Sequence, residues 1–297
     1  MRKIIYVFII CFVFLILLCS QGKCEKVPAR GLNRLFPIIQ GGRYGYMDRN
    51  GKITIKPKFD IASNFSEGLA PVKIYDRWGY IDQTGRMIVN LQFEWAWPFS
   101  NGLARVKIDG KYGFINHEGR LAIEPKFDWV WDFSEELSPV EVDGKYGYID
   151  KKGQIVVEPI YDALTNFSEG LAPVEIDGKW GYMDREGTIT IDPEFNKAIS
   201  FSEKLAAVEK MGRWGYIDKY GFFVINLRFE KAGSFSGGLA AVRISGKWGY
   251  IDRYGDAVIK PQFDWAGDFT DNLAAVEIAG KRGYINEKGR FIWRPQN

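Results

Sequence analysis

Residues 171–204 read LAPVEIDGKWGYMDREGTITIDPEFNKAISFSEK. In 171–176, Ala172, Val174 and Ile176 fall on one face, as the two-residue period of a strand requires. Asp177-Gly178 supplies the two positive-φ residues of a tight hairpin turn. Residues 179–184 form a second strand, with Trp180 and Tyr182 on the same side. Asp184-Arg185-Glu186-Gly187 makes a second turn, type I closed by a left-handed glycine. A third strand over 188–192 points Ile189 and Ile191 inward, and Pro193 is expected to end it. Residues 194–204 are then an irregular connector whose Phe195 and Phe201, with the following Leu205, pack down.

The same pattern recurs every 34 residues. A glycine flanked by aromatic residues stands at Gly45, Gly79, Gly113, Gly147, Gly181, Gly215, Gly249 and Gly283, without an insertion or deletion. It is preceded by Tyr44, Trp78, Tyr112, Tyr146, Trp180, Trp214, Trp248 and finally Arg282, and followed by Tyr except at Phe114. Asp48, Asp82, Asp150, Asp184, Asp218 and Asp252 share one column with Asn116 and Asn286. A Phe-Ser pair runs from Phe65-Ser66 to Phe235-Ser236 and relaxes to Phe269-Thr270. One such unit is too small to bury its own aromatic face, so neighbours must stack. The expected fold is all-β: a tandem array of eight 34-residue three-stranded antiparallel meanders over residues 35–297. An open solenoid or superhelix is favoured, with a closed propeller-like ring as the alternative. The glycine between aromatics is expected to leave a bare patch over which a large ring of an adjacent strand or repeat lies.

Residues Lys179–Asp184, with 77–82, 213–218 and 247–252, closely resemble the core of the WG-containing (KWG) repeat family. The resemblance covers everything from about residue 35 onward. It implies that Trp78, Gly79, Tyr80, Trp180, Gly181, Tyr182, Trp214, Gly215, Tyr216, Trp248, Gly249 and Tyr250 are repeat scaffold. Departures are Tyr for Trp in three early copies, Leu91 and Leu227 for the strand-ending proline, and Arg282 for the aromatic. The family is defined by its repeats and not by an activity, so it implies no reaction.

Before the array, Arg2 and Lys3 precede an apolar run from Ile4 to Leu18 and a polar, small-residue stretch. That order fits a signal for export over residues 1–22 followed by a linker over 23–34. Ile16-Leu17-Leu18-Cys19 also resembles a lipobox, which makes Cys19 a candidate for lipidation and a membrane attachment. Export to the periplasm, the cell surface or the medium is the expectation. All three cysteines, Cys11, Cys19 and Cys24, lie in this leader, so the array has no thiol chemistry.

Forty Lys and Arg against 37 Asp and Glu are interspersed without a basic stripe, which argues against nucleic acid as a partner. The single histidine, His117, stands in a turn column otherwise filled by Arg, Gln, Lys and Glu, and is expected to be solvated. The column aspartates open turns, since Asn116 and Asn286 serve equally. No catalytic residue, cofactor or metal is expected. One feature breaks the rhythm: Trp95 and Trp97 in one connector and Trp129 and Trp131 in the next, where other copies hold Ile61, Ala163, Lys197, Ser63 or Thr165. These four rings are candidates for a surface that takes a protein or a cell-wall glycan. The expected function is an exported, non-catalytic binding or scaffold module at the cell envelope, or alternatively a purely structural spacer.

Overall fold

The computed structural model describes residues 34–294; the readings of residues 1–33, Cys19 included, lie outside them. Every element is a strand, gathered into eight antiparallel sheets that follow one another along the chain. The first sheet has three strands and each of the other seven has four, hydrogen-bonded in chain order. The fifth shows the pattern, with strands Ala163–Leu164, Ala172–Ile176, Lys179–Met183 and Ile189–Phe195. The expected connector is therefore not all irregular. Its central dipeptide pairs with the next repeat, as Ala163 with Glu175 and Leu164 with Val174.

Both turns form as their sequences dictate. Asp177 and Gly178 have φ of 51° and 74°, the left-handed pair that matches strand twist in a two-residue hairpin. Asp184 Oδ1 accepts hydrogen bonds from the amides of Glu186 and Thr188 (3.1 and 2.8 Å), and Asn116 does the same without a charge.

Two expectations about the third strand need correction. Pro193 lies inside the strand Ile189–Phe195 and does not end it. The strand is at the sheet edge, so the missing N–H takes no bond from the ladder. Opposite Gly181 the strand bulges: Trp180 pairs with Phe195 and Tyr182 with Ile191, two extra residues facing one. The glycine is therefore covered by that bulged backbone of its own repeat and not by a neighbouring ring. A Cβ on Gly181 would stand 2.4 Å from Ile191 O and 2.8 Å from Pro193 N. Seven of the eight copies show this same close approach, from Gly45 to Gly249.

Packing between repeats centres on the tyrosine after that glycine. Tyr46, Tyr80, Tyr148, Tyr182, Tyr216 and Tyr250 are completely or almost completely buried. Counted by sheets, the connector belongs to the next unit, and each of these rings is covered by the Phe of that unit's Phe-Ser or Phe-Thr pair, with ring centroids 4.6–5.1 Å apart. Each phenol also donates to a carbonyl seventeen residues on, such as Tyr182 to Ile199 O at 2.8 Å. A second ladder runs beside it: Ser66 Oγ donates to Phe99 O, Ser134 to Phe167 O, Ser168 to Phe201 O, and Ser202 to Phe235 O, at 2.6–2.8 Å. The tyrosine of the eighth repeat, Tyr284, has no such phenylalanine over it among the described residues and is 46% exposed. Strands of each sheet pack against strands of the next, and among the described residues no such packing joins the last sheet to the first. The array ends open.

The glycine contacts set one stability test. Gly181→Ala drives a Cβ into backbone that no side-chain rotation can clear, and should cost on the order of 3 kcal/mol. Gly178→Ala meets nothing within 4 Å and suffers only its positive φ, so it should cost about 1–2 kcal/mol. Denaturant titration of both variants checks the order; equal losses would contradict the close approach.

The tyrosines set another. Burial pushes the six phenol pKa values well above the ordinary range. The folded state thus keeps protons that the unfolded chain releases above about pH 10. The resulting stability is complete below that pH and is lost as pH rises, by about 1.4 kcal/mol per pH unit for each ionised tyrosine. Circular dichroism and phenolate absorbance should change together in one alkaline transition. Ionisation of these tyrosines in the intact fold would contradict the assignment.

Candidate functional site

The four connector tryptophans stand where the dipeptide strands begin and end. Trp95–Ala96 pairs Trp95 with Lys107 and Ala96 with Val106; Trp129–Val130 pairs Trp129 with Glu141 and Val130 with Val140. Alternation along a strand sends Ala96 and Val130 into the core and Trp95, Trp97, Trp129 and Trp131 to the opposite side. The backbone is held on past the dipeptides, since the Trp97 and Trp131 amides donate to Arg105 O and Pro139 O (3.1 Å each).

The structure brings all four rings together and adds three that sequence had assigned to scaffold or not singled out. Trp78 meets Trp95 (5.6 Å between centroids), Trp95 meets Trp97 (5.8 Å), and Trp97 meets both Tyr112 and Trp129 (5.9 and 5.8 Å). Trp129 in turn meets Tyr112 (4.7 Å) and Trp131 (6.1 Å), which meets Tyr146 (5.9 Å). The result is a ridge of seven rings crossing the second, third and fourth sheets. Interplanar angles run from 40° to 86°, tilted from Trp78 to Trp97 and edge-to-face from Trp97 through Trp129 and Trp131 to Tyr146, the latter being an arrangement that the ring quadrupole favours. The ridge is consequently not a flat shelf: Trp95 is 46% exposed, whereas Trp97, Trp129 and Trp131 are half-buried.

Arg105 fastens the middle of the ridge. Its guanidinium lies 4.7 Å from the Trp97 ring centre, donates to Val130 O at 3.1 Å and pairs with Asp132 at 2.8 Å. Burial draws the guanidinium pKa down and Asp132 opposes that shift. Lys107 Nζ sits 5.2 Å from the Tyr112 ring centre. A cation thus covers each of two central rings, and Trp95 is left as the most open member.

Tyr80 and Ser138 fix the two tryptophan backbones. Tyr80 donates its phenol to Trp97 O at 2.8 Å. One repeat later the tyrosine is replaced by Phe114, which has no hydroxyl. Ser138 supplies it instead, donating to Trp131 O at 2.7 Å. Ser138 is fully buried and occupies a column that, after Phe36 in the first repeat, is otherwise filled by Ala70, Ala104, Ala172, Ala206, Ala240 and Ala274. The signal was present in the sequence as one serine among alanines, one repeat from one phenylalanine among tyrosines.

His117 is more engaged than a solvated turn residue. Its ring stacks on Phe99 at 4.3 Å and 14°, and its Nε2 lies 3.0 Å from Glu67 Oε2. Arg185 and Glu135 make the equivalent link at 2.6 Å. These contacts join neighbouring sheets.

Fold and ridge together define a tandem β-repeat protein with an open end and one aromatic surface that departs from the repeat. The WG containing repeat matches seven consecutive segments, 44–78, 78–112, 112–146, 146–180, 180–213, 214–248 and 248–281. The chain belongs to the WG containing repeat family. Among curated proteins nothing matches. Among solved structures, a eukaryotic initiation factor shares 10% identity over 88% of this chain and 85% of its own, with a TM-score of 0.58. Hsv2 of Kluyveromyces marxianus shares 10% over 78% and 94%, with a TM-score of 0.46. At such identity the first is a likeness of fold alone.

The Phe114–Ser138 exchange is testable. Ser138→Ala should leave Trp131 O without its buried donor and cost about 1–3 kcal/mol. Phe114→Tyr combined with Ser138→Ala restores the arrangement of the other repeats and should recover most of that loss. A double variant no more stable than the single one would show that the two positions are not coupled.

Proposed function

We propose that this protein is a non-catalytic binding or scaffold module of the cell envelope, exported by its leader, and that the tryptophan ridge is its ligand surface. The observation that carries the reading is the ridge itself. Tryptophan occupies four connector positions on two adjacent repeats, whereas the counterparts elsewhere vary from Gly, Ala, Ser, Thr and Lys to Ile, with one further tryptophan, Trp265, and the four rings form one contiguous, braced row with Trp95 open to solvent. Scaffold needs do not require it, because the fifth and sixth sheets fold with Ala163, Lys197, Thr165 and Ile199 in those places. Rigid aromatic rings offer large contact area at low conformational cost, which suits a glycan or a protein hot spot. A non-catalytic role accords with the engagement of the column aspartates by turn amides.

The test is a quadruple variant built from residues the array already tolerates: Trp95→Lys, Trp97→Thr, Trp129→Ala and Trp131→Thr. Binding of the intact protein to isolated cell wall and to a glycan array should fall at least tenfold, with the β-sheet spectrum retained. Undiminished binding by the variant would remove the ridge from the reading. Absence of any binding by the unaltered protein would favour a structural spacer.

A further inference from the structure

A second departure from the repeat lies far along the chain from the ridge, on the sixth sheet, where it meets the fifth and the seventh. In two places a side chain of the Asp-headed turn closes the gap to the previous sheet: His117 onto Glu67 and Arg185 onto Glu135. The corresponding pair at the sixth sheet is Lys219 and Glu169, and no ion pair forms between them among the described residues. Glu169 accepts from the backbone amide of Lys204 (2.9 Å), as Glu67 and Glu135 accept from Gly102 and Gly170, but Lys219 lies over the Tyr220 ring at 4.9 Å. A cleft of about 630 Å³ is left open, within the size range of ligand sites.

Three cations, Lys204, Lys219 and Arg253, line that cleft beside Phe201, Leu205 and Val224. No ion pair engages any of the three among the described residues. Two carboxylates line the cleft as well, each bonded to backbone: Glu169 as above, and Asp218, which accepts from the amides of Tyr220 and Phe222 (2.9 and 3.0 Å). Lys204 has φ of +70° in a turn column shared by four glycines and by Glu136 and Asn272, which also have positive φ.

The rim is anomalous too. Tyr220 and Tyr254 are 68% and 76% exposed in a turn column otherwise occupied by Asn50, Thr84, Glu118, Lys152, Glu186 and Lys288. Phe222, 70% exposed, replaces lysine, arginine, threonine, glutamine or aspartate. The turn that carries Arg253 and Tyr254 rests on the sixth sheet, since a Cβ on its Gly255 would meet Ile225 at 3.0 Å. Tyr220 thus lies against the lining residue Lys219, and Tyr254 follows the lining residue Arg253 in the chain.

We propose that this cleft binds an anionic polysaccharide, its carboxylate, sulfate or phosphate groups held by Lys204, Lys219 and Arg253 and its sugar rings stacked on Tyr220 and Tyr254. Lysine and arginine are suited to such oxyanions, and tyrosine presents an apolar face with a polar tip to a sugar. A polymer with charge and ring at regular intervals matches tyrosines placed one repeat apart. A bilayer fits less well, because the cations line a recess with an apolar floor and do not stand on a flat face. The site is separate from the tryptophan ridge and does not rest on it.

Affinity electrophoresis of the full-length chain in mild detergent tests the assignment, with polygalacturonate, dextran sulfate and a phosphorylated dextran in separate gels and neutral dextran as the control. At least one charged polymer should retard the protein, less so as salt is raised, and neutral dextran should not. Two variants use residues found elsewhere in the same columns. Lys204→Gly with Lys219→Gln and Arg253→Gln, and separately Tyr220→Thr with Tyr254→Asn, should each weaken binding at least tenfold while melting as cooperatively as the parent. The quadruple tryptophan variant should bind the charged polymer unchanged, which separates this site from the ridge. Retention of full affinity by the triple cation variant, or absence of retardation in every charged gel, would overturn the proposal. So would binding to phosphatidylglycerol vesicles that the cation variant abolishes when no polymer binds, an outcome that assigns the cleft to lipid.

Discussion

Each repeat depends on a ring it cannot cover by itself. The tyrosine after the central glycine is buried only because the next repeat lays a phenylalanine on it and offers a carbonyl to its hydroxyl. An isolated unit would leave that ring in water and its hydroxyl without a protein partner, so folding of one unit and stacking of the next are the same event. Seams between neighbouring sheets carry further bonds, from serine hydroxyls to phenylalanine carbonyls and from turn amides to glutamates. Those additions vary, as where Asn101 supplies the bond to Phe133 O through its side-chain amide. The covered aromatic ring does not vary until the array stops.

Within a repeat the governing constraint is steric. The third strand bulges toward the second, and only a residue without a Cβ fits beneath it. This is why the Trp-Gly-Tyr signature joins two large rings to the smallest residue. The rings meet neighbours on either side while the glycine admits backbone between them. Trp180 pairs with Phe195 beyond the bulge and Tyr182 with Ile191 before it.

Much of this was legible in the sequence because period and strand alternation are written in side chains. The eight-unit array, the three main strands, both turns and the role of the column aspartates follow from residues alone. The occupant over the glycine was not, since a bulge is a property of backbone and leaves only a proline as its trace. Pro193 was for the same reason read as a terminator. The tryptophans could be paired from their shared columns. Trp78, Tyr112 and Tyr146 could not be joined to them, because alternation predicts which residues share a face and not which rings meet across sheets. Ser138, Lys204 and Tyr220 were visible as breaks in their columns but had no meaning until the structure showed what stood opposite.

The uncovered ring of Tyr284 bears on how such a chain can change its length. Loss of the final unit would expose Tyr250 in its place, and a further unit would cover Tyr284 with a phenylalanine of its own. Neither event calls for a kind of seam that the molecule lacks. An unequal crossover between two copies, which adds or removes 34 residues in register, therefore leaves the remaining units intact. A closed ring has no such latitude, because its blade number is set by geometry. Copy number is thus open to selection independently of the surfaces that individual repeats carry, and the spacing between the tryptophan ridge and the basic cleft can be altered one unit at a time.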